Sequence, residues 1–315
     1  MSKRFALVGA AGYIAPRHMK AIKDTGNELS AAFDVNDSVG VIDSYFPEAE
    51  FFTEFELFDA FIREEGCADR DLDFVSIASP NHLHAAHMQW GLRAGSNVIC
   101  EKPLVLYPRD LDNLGQVEKE TGNQIFTILQ LRLHPAILAL REKYSTQNNG
   151  HKVDVDLTYI TSRGNWYLKS WKGDLEKSGG IATNIGVHFF DMLHFVFGDV
   201  VENKVHLNTS TKAAGYIEYE GARVRWFLSL DVNDVPADER AAGKRTYRAI
   251  IADGVNVEFS DGFTELHTRV YEDILRGGGF GLEANRVAIE TVSDIRHSST
   301  VTSGEYRHPF VETCK

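Results

Sequence analysis

The sequence predicts an α/β protein: an N-terminal doubly wound parallel sheet, then a second α+β domain with a mainly antiparallel, open-faced sheet. Three observations predict it. In the first third of the chain, short apolar runs alternate with helical stripes. After Pro135 the runs lengthen and are separated by tight turns such as Glu220-Gly221 and Asp253-Gly254. The 315 residues also exceed what one hydrophobic core usually serves. The expected domains are residues 1–134 and 135–315.

The first strand is Phe5 to Val8, followed by a glycine turn and a helix ending near Gly26. Leu29 to Phe33 is the second strand. Thr53-Glu54-Phe55-Glu56 has the form of a capping box, and Phe55, Phe58, Phe61 and Ile62 form a helical stripe after it. Phe74 to Ala78 is the third strand, and a helix runs from about His82 to a stop near Gly95. Val98 to Cys100 is the fourth, with Pro108 opening the next helix as a first-turn proline. Ile125 to Leu131 reads as the fifth. Pro135 starts a helix to about Tyr144, and the polar stretch Ser145 to Gly150 reads as a border region. Strands are then expected at Lys152–Thr161, Lys204–Thr209, Ala214–Tyr219, Ala222–Asp231, Tyr247–Ala252 and Val255–Phe259, with a last amphipathic helix over Leu282–His297.

Composition excludes several classes. Thirty-three basic against 45 acidic side chains give a net charge of −12, which disfavours nucleic acid and anionic membrane as partners. No run approaches the ~18 apolar residues of a membrane span. The basic Lys3 and Arg4 before a short apolar run only faintly mimic an export signal, because Gly12, Arg17 and His18 follow at once. Cys67, Cys100 and Cys314 lie far apart without metal-ligand spacing. A cytoplasmic protein with free thiols is expected.

The cofactor signal sits in Gly9-Ala10-Ala11-Gly12-Tyr13-Ile14-Ala15, between the first strand and the first helix. The dinucleotide fingerprint would put glycine at Ala10 and Gly12; here Gly9 stands one residue upstream. Gly12 is where the backbone approaches a pyrophosphate at a helix N-terminus. Asp34 ends the second strand 22 positions after Gly12, where a carboxylate holds the ribose hydroxyls. The stretch from Asp34 through Asn36 to Ser38 offers no arginine for a 2′-phosphate, so NAD is expected rather than NADP. Ser79-Pro80-Asn81-His82-Leu83-His84 follows the third strand at the same sheet edge. Its polar groups either border the nicotinamide or, for Asn81, cap the next helix. His82, His84 and His87 lack a carboxylate or cysteine to complete a ligand set, so no metal is expected.

Two further segments carry chemistry. Glu101-Lys102-Pro103 ends an apolar strand with a carboxylate, an amine and a proline, at the edge where open sheets bind ligands. Gly179-Gly180 leads into an apolar helix carrying Asn184, His188 and Asp191 on one face, a polar stripe that is costly to bury unless used. Upstream, Arg163, Asn165, Trp166, Tyr167, Trp171 and Lys172 lie within ten residues. Aromatic faces beside cationic donors suit a sugar nucleotide; the alternative is an aromatic interface or core cluster.

Together these motifs, with Trp171-Lys172-x-Asp174 and Phe280-Gly281-Leu282-Glu283, occur in the order of the glucose-fructose oxidoreductase / inositol dehydrogenase / MocA family, which the chain resembles over nearly its whole length. The resemblance implies a Rossmann NAD domain and a sugar-oxidising site. It assigns the roles flanking the hydride-losing carbon to Lys102 and His188, with either as the base. It adds Ala11, Tyr13, Ile14, Glu101, Lys102, Gln130, Trp171 and Lys172 to the cofactor contacts. Many relatives carry aspartate where this chain has Asn184, which leaves that residue a neutral hydrogen-bonding role.

Within the family, residues 12–18, 130–135, 163–167 and 170–173 resemble the branch that oxidises C-3 of UDP-N-acetylglucosaminuronic acid for diacetamido-uronic acid units of bacterial surface polysaccharide (lipopolysaccharide O antigen). That branch implies a UDP-sugar substrate, 2-oxoglutarate as a hydride acceptor, and a homodimer or homotetramer. The alternatives are another sugar or inositol dehydrogenase, or a non-catalytic sugar or dinucleotide sensor on the same fold.

Overall fold

The computed structural model describes residues 2–67, 72–145, 151–257, 265–301 and 305–313. Its chain divides into two compact units, Met1–Gln130 with Thr264–Arg286, and Leu131–Phe263 with Val287–Lys315.

The first unit holds a six-stranded sheet of β1 (Arg4–Val8), β2 (Glu28–Phe33), β3 (Glu50–Phe52), β4 (Phe74–Ile77), β5 (Asn97–Cys100) and β6 (Ile125–Thr127). All pairs are parallel and the order is β3-β2-β1-β4-β5-β6. Parallel strands need crossovers, here the helices Ala15–Asp24, Phe55–Cys67, His84–Arg93 and Pro108–Thr121. Pro108 stands at the first helical turn as expected, and Gly122, with φ 75°, closes that helix in the left-handed region. The strand order reverses between β1 and β4. Ligands of such sheets bind beyond the strand ends at that switch point.

Sequence and structure differ at three places here. β3 was not foreseen: three residues at the sheet edge, Glu50 exposed and both phenylalanines half-buried, show no alternation. β6 stops at Thr127 instead of reaching Leu131, because the Leu129 N–H turns back to the Thr127 carbonyl and Gln130–Leu133 forms a 3-10 turn. The helix Leu266–Leu275, also unforeseen, belongs to the first unit and buries Leu266, Val270, Tyr271 and Ile274. The expected division at 134/135 had placed this returning segment in the second domain. After it, Phe280 takes the Thr127 N–H on its carbonyl at 2.8 Å, and Asn285 donates to the Thr127 hydroxyl at 2.8 Å.

The second unit holds β7 (Val153–Thr161), β8 (Val200–Asn208), β9 (Lys212–Tyr219), β10 (Ala222–Ser229), β11 (Thr246–Ala252) and β12 (Val255–Asn256), in the order β12-β11-β7-β10-β9-β8. Only β7 and β10 pair in parallel. One face is covered by the helix Val187–Phe197, where Phe190 meets Trp226 edge-on at 5.2 Å and Phe189 lies 5.0 Å from Tyr159. Gly186 permits that approach, since a Cβ there would stand 2.7 Å from Leu228. Most of the expected border region, residues 146–150, and Phe259 lie outside the described residues. No helix among the described residues is long and apolar enough to cross a membrane.

Candidate active site

The glycine turn is built to leave room. Gly9 has φ 94°, and a Cβ there would lie 2.6 Å from the Ala78 backbone, so only glycine fits. Its N–H and that of Ala10 both bond to the Phe33 carbonyl, at 2.8 and 3.1 Å. Gly12 is nearly as confined, its Cβ position 3.1 Å from the Gly9 carbonyl. The helix from Ala15 then starts with Ile14 at its N-cap and no side-chain cap; Pro16 has no N–H, and the N–H groups of Ala15 and Arg17 bond to the Gly12 and Ile14 carbonyls at 3.0 and 2.9 Å. Tyr13 projects from the turn, 91% exposed. Asp34 accepts the Ala11 N–H at 2.9 Å on one oxygen and the Asn36 N–H at 2.9 Å on the other. Asn36 and Ser38 are exposed beside it.

At the end of β4, Ser79, Pro80 and Asn81 follow in that order, and Asn81 opens a 3-10 turn. The helix His84–Arg93 has Leu83 at its N-cap, two residues after Asn81. His84 is buried with Nδ1 2.8 Å from the Pro103 carbonyl and Nε2 2.8 Å from the Ser79 carbonyl. It therefore stands between the β4 loop and the Glu101-Lys102-Pro103 turn; burial lowers its pKa, and a neutral ring donates to one of the two carbonyls. His87 lies 2.9 Å from the Ser79 hydroxyl; burial lowers its pKa to about 4 and keeps it neutral. His82 is exposed.

Glu101 is buried, with Oε1 bonded to His18 Nε2 at 3.1 Å and His267 Nε2 at 2.8 Å. Burial opposes its charge, but the two imidazole bonds prevail and hold the carboxyl well below its usual range. His18, Glu101 and His267 are also the one group among the described residues whose atoms lie close enough to share a metal ion. Lys102 follows at the sheet edge, half-buried, joined to Pro103 by a cis peptide. Gln130 is buried, and its Oε1 has no hydrogen-bond partner. An orphaned acceptor of this kind suits a carboxamide donor such as that of nicotinamide. The glycine cradle, Asp34 and Gln130 thus fit NAD.

In the second unit, Ala182–Gly186 is π-helical and runs directly into the helix Val187–Phe197. Asn184 thus lies in a π-helical turn and His188 in the α-helix after it, not in the one regular helix the sequence implied. Asn184 donates to the Tyr167 hydroxyl in a short contact, and burial pushes that phenol's pKa up. His188 is half-buried. Asp191, expected on the same polar stripe, is instead buried in a bidentate pair with Arg132, at 2.6 and 3.0 Å. Lys172 lies over Trp171 at 4.2 Å and over Trp166 at 5.8 Å. Burial and the nearby Arg163 both lower its pKa. Arg163, Asn165 and Trp166 are exposed, whereas Tyr167 is buried.

Sequence reasoning missed Ser76, His18, His267, Tyr271 and Arg132. Their partners lie 59 to 253 positions away, so no local pattern marks them.

Two family models match the chain: an oxidoreductase family's NAD-binding Rossmann fold over residues 3–129, and that family's C-terminal alpha/beta domain over residues 150–237. The WlbA (WbpB) dehydrogenase of Thermus thermophilus, solved with NAD and alpha-ketoglutarate, is 53% identical over 98% of this chain and 99% of its own, with a TM-score of 0.94. The chain belongs to the GFO/IDH/MocA oxidoreductase family. The same Thermus protein has been solved with NAD and UDP-GlcNAcA, here at 51% identity and the same TM-score. The 1,5-anhydro-D-fructose reductase of Ensifer adhaerens is 27% identical over 198 residues, 62% of this chain and 57% of its own. The chain spans about half the length of the first curated relatives it matches. Its N-terminal unit carries the family's NAD-binding Rossmann domain, and its second sheet carries the family's C-terminal domain.

Proposed function

We propose that the protein is an NAD-dependent dehydrogenase that oxidises the C-3 hydroxyl of UDP-N-acetylglucosaminuronic acid (UDP-GlcNAcA) to the 3-keto sugar, a step toward diacetamido-uronic acid units of surface polysaccharide. The observation that carries this reading is the full-length likeness, at 51–53% identity, to a dehydrogenase whose structures hold NAD with UDP-GlcNAcA or with alpha-ketoglutarate. The side chains agree with it. Arg163 and Lys172 offer cationic donors, Trp166 and Trp171 offer ring faces, and the Asn184–Tyr167 pair offers a neutral hydrogen-bonding position.

Bound NAD supplies the acceptor for the hydride leaving C-3. The glycine turn, Gly9 and Ala11 to Ile14, would hold its pyrophosphate, and Asp34 with Asn36 and Ser38 its adenosine ribose. Ser79, Pro80, Asn81 and Gln130 would border its nicotinamide, and the family resemblance adds Trp171 and Lys172 as cofactor contacts. Lys102 takes the hydroxyl proton as the C–H electron pair departs, and His188 holds the hydroxyl oxygen. Glu101 and His84 keep the turn around Lys102 in place. The exchanged assignment, His188 as base, uses the same groups.

The likeness to an alpha-ketoglutarate complex extends the reading to 2-oxoglutarate, which would receive the hydride from reduced cofactor. On this reading the reaction takes place in the cytoplasm, and the protein acts as a homodimer or homotetramer. The test is a panel of UDP-sugars with NAD, with and without 2-oxoglutarate, read by absorbance at the NADH band and by product mass. NADH formed only with UDP-GlcNAcA, and a product two mass units lighter, is expected. Turnover of free sugars or inositol, uninhibited by UDP, would transfer the protein to another branch of its family.

A further inference from the structure

No step above uses the group behind Glu101. Its Oε1 accepts from both His18 and His267, and its Oε2 accepts the Lys102 backbone N–H at 3.3 Å. Beyond His18, Nδ1 stands 2.7 Å from the Tyr271 hydroxyl, which stands 2.7 Å from the Ser76 hydroxyl. With neutral imidazoles, one proton assignment satisfies this chain. A carboxylate only accepts, so each Nε2 carries its hydrogen. His18 Nδ1 then accepts from Tyr271, whose oxygen accepts from Ser76. On the other side, His267 Nδ1 is buried without a partner, and burial lowers the pKa of that imidazole and keeps it neutral. The neutral His267 ring does not cancel the carboxylate. Hydrogen-bond distances to a single oxygen describe two N–H donors clamping an anion, which leaves no lone pair on either Nε2 for a metal ion.

A charge buried in this way is expensive, and its place in the sheet says what it faces. The glycine turn follows β1 and Asp34 follows β2, so the adenosine half of a dinucleotide belongs on the β2 side. Its nicotinamide half then belongs to the strands on the other side of β1, which are β4 and β5. Glu101 is the residue immediately after β5. The oxidised ring is a cation and the reduced ring is neutral.

We infer that Glu101, clamped by His18 and His267, is the fixed negative charge by which this protein binds the oxidised nicotinamide ring in preference to the reduced one. The inference rests on the NAD half of the function proposed above and is independent of the sugar. The test compares dissociation constants of NAD+ and NADH by calorimetry, on protein freed of nucleotide. Glu101→Gln keeps an acceptor oxygen and removes the charge; it should weaken NAD+ relative to NADH by about tenfold or more. That is about 30 mV for a bound two-electron couple. Glu101→Asp should keep the wild-type ratio, and Tyr271→Phe should lower the melting temperature without moving it. In wild type, benzamide adenine dinucleotide, whose ring has the same shape and no charge, should bind about tenfold more weakly than NAD+, a comparison that needs no variant to fold. A folded Glu101→Gln protein with an unchanged ratio, or equal binding of NAD+ and the neutral analogue, overturns the inference. Wild-type protein that binds neither NAD+ nor NADH overturns the function on which it rests.

Discussion

The carboxylate of Asp34 accepts the backbone N–H of Ala11 at 2.9 Å, so the end of β2 is tied to the glycine turn after β1. One side chain thus shapes the turn and presents negative charge where a ribose would lie. Charge at that position repels a 2′-phosphate. Asp34→Ala removes both effects: the affinity for NAD should fall by roughly tenfold, the scale of a lost charge-assisted hydrogen bond. Discrimination against NADP should shrink as well. Steady-state constants for both cofactors check this, and an unchanged NAD-to-NADP ratio would sink the assignment.

Arg132 and Asp191 form the second unit's buried bidentate pair, three residues along the helix from His188. Breaking such a pair strands one charge in the interior. Arg132→Met should therefore cost about 3–5 kcal/mol of stability, and replacing Asp191 by leucine in the same protein should recover part of that loss. Urea unfolding of the two variants against wild type decides it. A single variant as stable as wild type would mean the pair holds nothing.

How much of this was legible follows from the range of each interaction. The alternation of the first sheet, the first-turn Pro108 and the Gly9–Gly12 turn are local signals, and the structure contains all three. Asp191 was legible as a costly polar residue, but its partner Arg132 lies 59 positions upstream and converts it from a free stripe into an ion pair. The π-helical turn at Asn184 depends on how the segment packs, for which residue spacing holds no signal. Least legible was the surround of Glu101. His267 and Tyr271 reach it from a helix that returns to the first unit more than 160 positions later, and only the stripe Leu266, Val270, Tyr271, Ile274 could have revealed that helix.

His308 gives the protein an acid sensitivity whose sign can be worked out. It is buried beside Thr158, with Nε2 3.0 Å from that hydroxyl, and stacks on Phe227. Burial, and then the charge of Arg225, lower its pKa to about 3. For a base depressed on folding, stability is fully present above the unfolded value of about 6.5 and is lost as pH falls toward about 3. In that window the unfolded chain holds a proton that the folded chain refuses, a loss of roughly 1.4 kcal/mol per pH unit. His308→Gln keeps a hydrogen-bonding group and cannot titrate. Its stability should depend on pH less steeply than wild type by about one proton between pH 6 and 4. Parallel slopes in urea titrations would refute this.

Lys102 stands half-buried after β5, in a turn held by the His84 bond to Pro103 and by the buried Glu101. Two elements therefore fix its backbone, so replacing the amine need not disturb the cofactor cradle at Gly9 and Gly12. Lys102→Met should lower NADH formation by about 10²–10⁴-fold, the usual contribution of one general base, while the dissociation constant for NAD stays near that of wild type. A parallel loss of NAD binding would make Lys102 a cofactor contact rather than the proton acceptor. Near-full turnover in the variant would pass the proton to His188, and His188→Asn should then show the larger defect.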